Sequence, residues 1–297
     1  MSEAAALPDI RIPSPRELMA RRARGHLGLI LGGAIVALAV FIALAAPYLA
    51  PFDPYDQDLS RRLIVPIWGV GGSWVHPLGT DGFGRDVLSR LIYGARISLE
   101  IGFTAALIAA LLGSLLGIAG GYFGGTVDSV VLYLINVKLA LPVVLVALSL
   151  VSVVGGSVGS LILIMGFLTW DRYAVVTRSI TQQLRGQEFV LAAQAAGASH
   201  LRIALCEILP NVMNHIIVVA SLEIATIILI EAALSFLGLG VRPPTPSWGL
   251  MVAEGRSFLF FKPYLVAIPG IAILVLVIAI NMAGDGLRDV MAPDGRE

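Results

Sequence analysis

The chain has 297 residues, with twenty basic and twenty acidic side chains that leave a formal net charge of zero. Hydrophobic residues make up 57% and charged ones 13%, where a soluble domain carries roughly a quarter charged, and the mean hydropathy is +0.88. That balance excludes a soluble globular fold in favour of an all-α polytopic membrane protein, and the missing basic excess removes nucleic acid as a partner. Cys206 is the single cysteine, so no intrachain disulfide is possible, and His26, His76, His200 and His215 form no ligand-spaced pair for a metal.

Apolar runs predict about six transmembrane helices, at roughly 27–49, 96–119, 127–153, 157–179, 212–235 and 264–285. A bilayer offers no water to backbone groups, so spans of this length are helices and not strands. The tail 1–26 carries Arg21, Arg22 and Arg24 before the first run. A cleaved signal peptide is the competing reading of this start, but the run reaches Leu49, longer than a signal core, so a retained first helix with a cytoplasmic tail is expected. An even number of spans then places both termini, 1–26 and 287–297, in the cytoplasm of a multi-pass protein.

The segment 50–95 is expected outside, with turn chemistry in "PFDPYDQD" and "HPLGTDGFGRD". Asp81, Arg85 and Asp86 are expected to tie this loop together; no following Lys-Ser or second ligand cluster supports a phosphate or metal site there. On span two, Gly113, Gly117, Gly120 and Gly121 recur at three- and four-residue spacings that permit close helix approach, here read as packing within the chain. Ionisable groups inside spans are functional candidates: Lys138 and Glu223 are candidates for the pathway or a subunit contact, Glu223 with a partner on another subunit. Asp171 and Arg172 point about 100° apart on a helix and are read as snorkelling toward the cytoplasm.

Between spans four and five the loop 181–211 contains "EFVLAAQAAGASHLRIALCEILPN". Phe189, Ala192, Ala193 and Ala196 fall on one face of a short helix. Gly197 suits the left-handed residue that ends it, and Ser199 suits the cap of a second helix with Leu201, Leu205, Ile208 and Leu209 on its apolar side. Pro210 fits the first turn of span five. Small residues on an exposed short helix suit docking. The cluster "RPPTPSWG" ends span five, and Trp248 beside it is read as an interfacial aromatic anchor, with a protein contact as the sharper alternative.

These residues carry a family resemblance. "LAAQAAG…ILPN" resembles the EAA loop of ABC-importer permeases. "HPLGTDGFGRDVLSRLIYGARISL", "GGYFGGTVD", "EAALSFLGLGVRPPTPSWGLMVAEGR" and "PGIAILVLVIAINMAGDGLRD" resemble the second permease subunit of dipeptide, oligopeptide and nickel importers. The resemblance implies a type I importer permease (MetI-like) fold over 96–286, in the bacterial inner membrane. It implies a non-catalytic subunit that pairs with a homologous second permease, with one or two cytoplasmic ATPase subunits and with an extracytoplasmic binding protein. Glu188, Leu191, Ala192, Ala193, Gly197, Ile208, Leu209 and Pro210 are then the ATPase-coupling positions, and Asp81, Arg85, Asp86 and Trp248 belong to loop structure or binding-protein contact. Leu191 stands where the family has its glutamate, Tyr133 and Asn136 stand where members often have Arg and Asp, and Lys138 is unusual.

The residues agree on one point independently. Lys138 and Lys262 are the only lysines, and neither sits in a GxxxxGK[ST] loop. No cofactor is therefore expected on this chain; ATP and magnesium belong to the ATPase partners. A self-sufficient carrier would predict inverted repeats or broken helices around an ion site, and a membrane enzyme would need a nucleophile or metal constellation. Peptides, nickel chelates and other small solutes all remain open as substrates.

Overall fold

The computed structural model describes residues 23–291; Arg21, Arg22, most of the tail 1–26 and the end of the tail 287–297 lie outside the described residues. Ten principal helices account for most of the described chain: α1 Leu27–Leu44, α2 Val87–Phe123, α3 Gly125–Ala140, α4 Val143–Val154, α5 Val158–Leu168, α6 Asp171–Arg185, α7 Glu188–Ala195, α8 His200–Phe236, α9 Trp248–Gly255 and α10 Tyr264–Met291. Five spans are long and apolar enough to cross a membrane, the α5–α6 pair counted as one, and six if the bent α3–α4 pair counts as another.

The segments 50–86, 155–157 and 237–263 share one end of the bundle. Arg90 there reaches Glu254, and the Arg242 amide donates to the Gly156 carbonyl. The turn 186–199 and the pair His26–Asp289 mark the other ends of the same helices.

α2 is the central element and packs on α1, α3, α5, α6 and α8. It begins at Val87, well before the expected 96, because Arg90 interrupts the apolar run in its first turns. At 1.5 Å per residue it is about 55 Å long, longer than the roughly 30 Å hydrocarbon core, so its charged start lies beyond the apolar layer. Gly113, Gly117 and Gly121 face α6, whereas Gly120 faces Val131 of α3. A Cβ on Gly113 would meet the Trp170 carbonyl at 2.2 Å, and one on Gly117 the Ala174 carbonyl at 2.5 Å. Those positions bring the two helices backbone to backbone within one chain.

The expected continuous span 127–153 is two helices bent by 84° around Leu141–Pro142. Pro142 has no N–H to give and biases Leu141 to extended backbone, φ −95° and ψ 125°, which breaks the helix there. Span four is also interrupted, at Thr169–Trp170.

Candidate functional site

The exposed turn between α6 and α8 is built as a compact cap. Gly197 lies at φ +80°; its amide donates to the Gln194 carbonyl and the Ala198 amide to the Ala193 carbonyl, the paired bonds of a Schellman ending. Ser199 Oγ then accepts from the Arg202 amide and starts α8. Here the helical faces differ from the sequence expectation. Val190 is the fully buried residue of α7, with Ala193 half-buried beside it, while Phe189, Leu191, Ala192 and Ala196 face outward.

The second expected helix and span five are one helix. Residues Ile203–Ile208 form a π turn in which the Leu209 amide donates to the Ala204 carbonyl, five residues back. Pro210 brings no N–H to the ladder, and the widened turn accommodates it. The extra residue also resets the face: Ile203 and Ile208, five apart, are both buried, whereas Leu201 and Leu205 are exposed. Val190, Ile203, Ile208, Tyr122 and Tyr173 share one core, so α7 is seated on α2, α6 and α8. The Tyr122 hydroxyl and His200 Nδ1 lie 3.0 Å apart, tying the end of α2 to the first turn of α8.

Deeper in the bundle four charges meet at the two helix breaks. Lys138, in the last turn of α3, donates to Asp171, in the first turn of α6. A cation at a helix C-terminus and an anion at an N-terminus both complement the helix dipoles. Arg172 Nη1 donates to Glu223 Oε1 over 2.7 Å. Asp171 and Arg172 therefore pair with α3 and α8 rather than snorkel to an aqueous end, and Glu223 finds a partner within its own chain. Nearer the 186–199 end, Arg178 grips Asp128 through both Nε and Nη2, the latter at 2.7 Å, joining α6 to α3.

At the opposite end Asp81, Arg85, Arg90 and Glu254 form one network. Arg85 Nε donates to Asp81 at 2.7 Å, and Arg85 Nη2 and Arg90 Nη2 both donate to Glu254 Oε2, at 2.7 and 2.8 Å. Asp86 stands apart from that network: it caps α2 by accepting from the Ser89 amide at 2.7 Å and faces His76 Nδ1 at 3.0 Å. Trp248 is 5% exposed, with Nε1 donating to the Leu91 carbonyl at 2.8 Å. It is a buried tie between α9 and α2, neither an interfacial anchor nor an exposed contact, because its indole N–H is satisfied inside the chain.

Sequence reasoning missed Arg90, Glu254 and Glu231. Glu231 is fully buried and accepts from Ser235 at 2.8 Å and Ser247 at 3.0 Å, closing the "EAALS…PS" stretch on itself. The available signal was a lone acid inside an apolar run, the same reason Glu223 stood out. Among the described residues no group of three or more His, Cys, Asp or Glu could hold a metal.

The fold and these sites define a multi-pass helical membrane protein with ion pairs inside the bundle, Lys138–Asp171 and Arg172–Glu223, and an exposed helix-and-turn cap between α6 and α8. The chain belongs to the family of binding-protein-dependent transport system inner membrane components, whose model matches residues 109–296. The N-terminal TM domain of oligopeptide transport permease C matches residues 14–66. The chain is 44% identical over 266 residues to the dipeptide transport system permease protein DppC of Escherichia coli (strain K12), covering 90% of this chain and 89% of that one. It is 40% identical to DppC of Haemophilus influenzae, covering 90% of each. With the glutathione transport system permease protein GsiD of Salmonella typhimurium it shares 39% over 290 residues, 96% of this chain and 92% of that one. The fold also resembles a chain of the inward-facing MetNI methionine ABC transporter, at TM-score 0.56 and 16% identity over 69% of this chain and 98% of that one.

The protein is thus a non-catalytic permease subunit of a binding-protein-dependent ABC importer, a multi-pass component of the inner membrane that works with ATPase and substrate-binding partners. The broken helices at 141–142 and 169–170 are features a self-contained carrier would also have, and family membership sets that alternative aside.

Proposed function

We propose that this chain forms half of the translocation pathway for short peptides or closely related small solutes, beside a homologous second permease. The observation that carries the substrate class is its similarity, over nine-tenths of its length, to permeases named for dipeptide transport. Both termini and the turn 186–199 lie on the cytoplasmic side. The coupling surface is the outward face of α7, Glu188, Leu191 and Ala192, held in place by Ala193 and by the Gly197 turn. Ile208, Leu209 and Pro210, at the π turn, pass its displacement along α8. Three features support this reading: α7 is short, its outer face is exposed, and its inner residue Val190 locks it to three long helices, so a push on α7 moves the bundle. Leu191, 50% exposed, makes that contact apolar where the family has a glutamate. ATP and magnesium are bound by the partner subunits. The 50–86 and 237–263 segments face the binding protein, and their buried network keeps that face rigid.

The test is reconstitution of this subunit with its neighbouring permease, ATPases and binding protein in proteoliposomes. ATP-dependent accumulation of labelled dipeptide is expected. ATP-driven uptake of another solute class, with none of peptide, would overturn the substrate assignment.

A further inference from the structure

The four charges at the helix breaks are layered. Each acid is almost completely covered, 4% exposed for the Asp171 side chain and 2% for Glu223, while their cations lie outside them, 20% for Lys138 and 59% for Arg172. Whatever approaches this surface meets positive charge first, held in position by acids beneath.

Its depth decides what can approach. The Trp170 carbonyl sits against Gly113 of α2, about 15 Å along the helix from Phe123 and within the stretch between Glu100 and Asp128 that carries no charge. Leu141 and Pro142, where the backbone is irregular, are also exposed. Irregular backbone and a charged side chain at membrane depth are tolerated only against protein or a water-filled cavity, not against lipid. Arg172 spends Nη1 on Glu223, and no other hydrogen bond occupies its guanidinium among the described residues. A guanidinium held at one corner still offers a planar fork, whose natural complement is a carboxylate.

We propose that Arg172, braced by Glu223 and flanked by Lys138, takes the carboxylate of a solute as it passes through the pathway. This rests on the reading of the chain as half of a peptide pathway. Arg172 is the specificity-determining contact; Glu223 is a positioning residue that fixes the guanidinium and offsets part of its charge, so that the solute is released onward rather than trapped. An acid of the neighbouring permease could occupy the same fork, and the experiment separates that case.

The complete complex is reconstituted with binding protein saturated by dialanine or by its C-terminal amide, and maximal uptake of each is measured. Two variants are compared: Arg172→Lys, and the double variant Arg172→Gln with Glu223→Gln, which leaves no acid unpaired. The double variant is expected to co-purify with its partner subunits in wild-type yield. Its maximal uptake of the free acid is expected to fall at least about tenfold, the scale of one charge-assisted hydrogen bond, while uptake of the amide changes little. Arg172→Lys keeps part of the preference for the free acid. A double variant with the wild-type rate and the wild-type ratio of acid to amide overturns the proposal. So does a double variant that no longer binds the second permease, since the face is then a subunit contact. A wild-type complex that moves neither form refutes the peptide reading itself and this assignment with it.

Discussion

Replacing Gly117 by alanine is expected to destabilise the protein even though alanine is the better helix former. A Cβ there would lie 2.0 Å from Thr177 Oγ1, 2.5 Å from the Ala174 carbonyl and 3.0 Å from the Arg178 amide. Ordinary contacts need about 3.5 Å. Thr177 cannot simply turn away, because its hydroxyl donates to the Tyr173 carbonyl at 2.7 Å, and the Ala174 carbonyl is backbone. α2 and α6 must therefore part by about 1 Å along their whole seam, and overpacking of this kind costs about 1–3 kcal/mol. The gain in helix propensity from Gly to Ala returns about 1 kcal/mol at most. The net loss centres on about 1 kcal/mol and reaches about 2 kcal/mol, and each kcal/mol lowers the melting temperature by about 2–4 °C for a domain of this size. Gly33 of α1 is the control, since a Cβ there meets nothing within 4 Å; Gly33→Ala is expected to be neutral or slightly stabilising. Both are read by heating the purified complex and following the monodisperse fraction by size exclusion. If Gly117→Ala melts at or above wild type, or if both variants shift alike, backbone contact at the seam is not what sets the α2–α6 distance.

Gly197→Val places a β-branched residue at φ +80°, at a cost of about 1–2 kcal/mol for left-handed backbone; ATP hydrolysis is expected to persist while uptake falls, and unchanged uptake per ATP would remove the turn from the coupling route. Glu254→Ala leaves Arg85 and Arg90 buried with Asp81 as their remaining acid among the described residues. Breaking a buried pair costs about 3–5 kcal/mol, so the 50–86 segment is expected to become sensitive to protease in membrane vesicles; wild-type resistance would mean the network is not what secures it. Trp248→Ala is expected to cost about 3–5 kcal/mol and Trp248→Phe, which loses chiefly the bond to Leu91, about 1 kcal/mol. Equal melting of the two variants and wild type would contradict the burial of the indole.

The residues themselves determined more than composition suggests. The length and polarity of each apolar run settled that the chain is all-helical and multi-pass, since lipid leaves the backbone no other way to satisfy itself. Gly197, Ser199 and the short helix before them were legible because capping geometry is local: a left-handed residue and a side-chain oxygen act within a few positions of chain. Pro142 stands in plain view in the sequence, but a single proline in an apolar run can either kink a helix or end it, and the neighbours decide which.

What the tertiary structure alone decided is pairing and face. Lys138, Asp171, Arg172 and Glu223 could be read as intramembrane charges, but their partners lie 33 and 51 residues away along the chain, and no local rule connects them. The π turn at Ile203–Ile208 shifted which leucines and isoleucines of α8 point inward, a change of register that a 3.6-residue period does not foresee. Trp248 looked interfacial because aromatic residues beside proline clusters often are; it is buried because α2 supplies the Leu91 carbonyl its indole needs. Local chemistry follows from neighbours in sequence, whereas burial and charge pairing follow from which helices the glycine seam of α2 allows to come close.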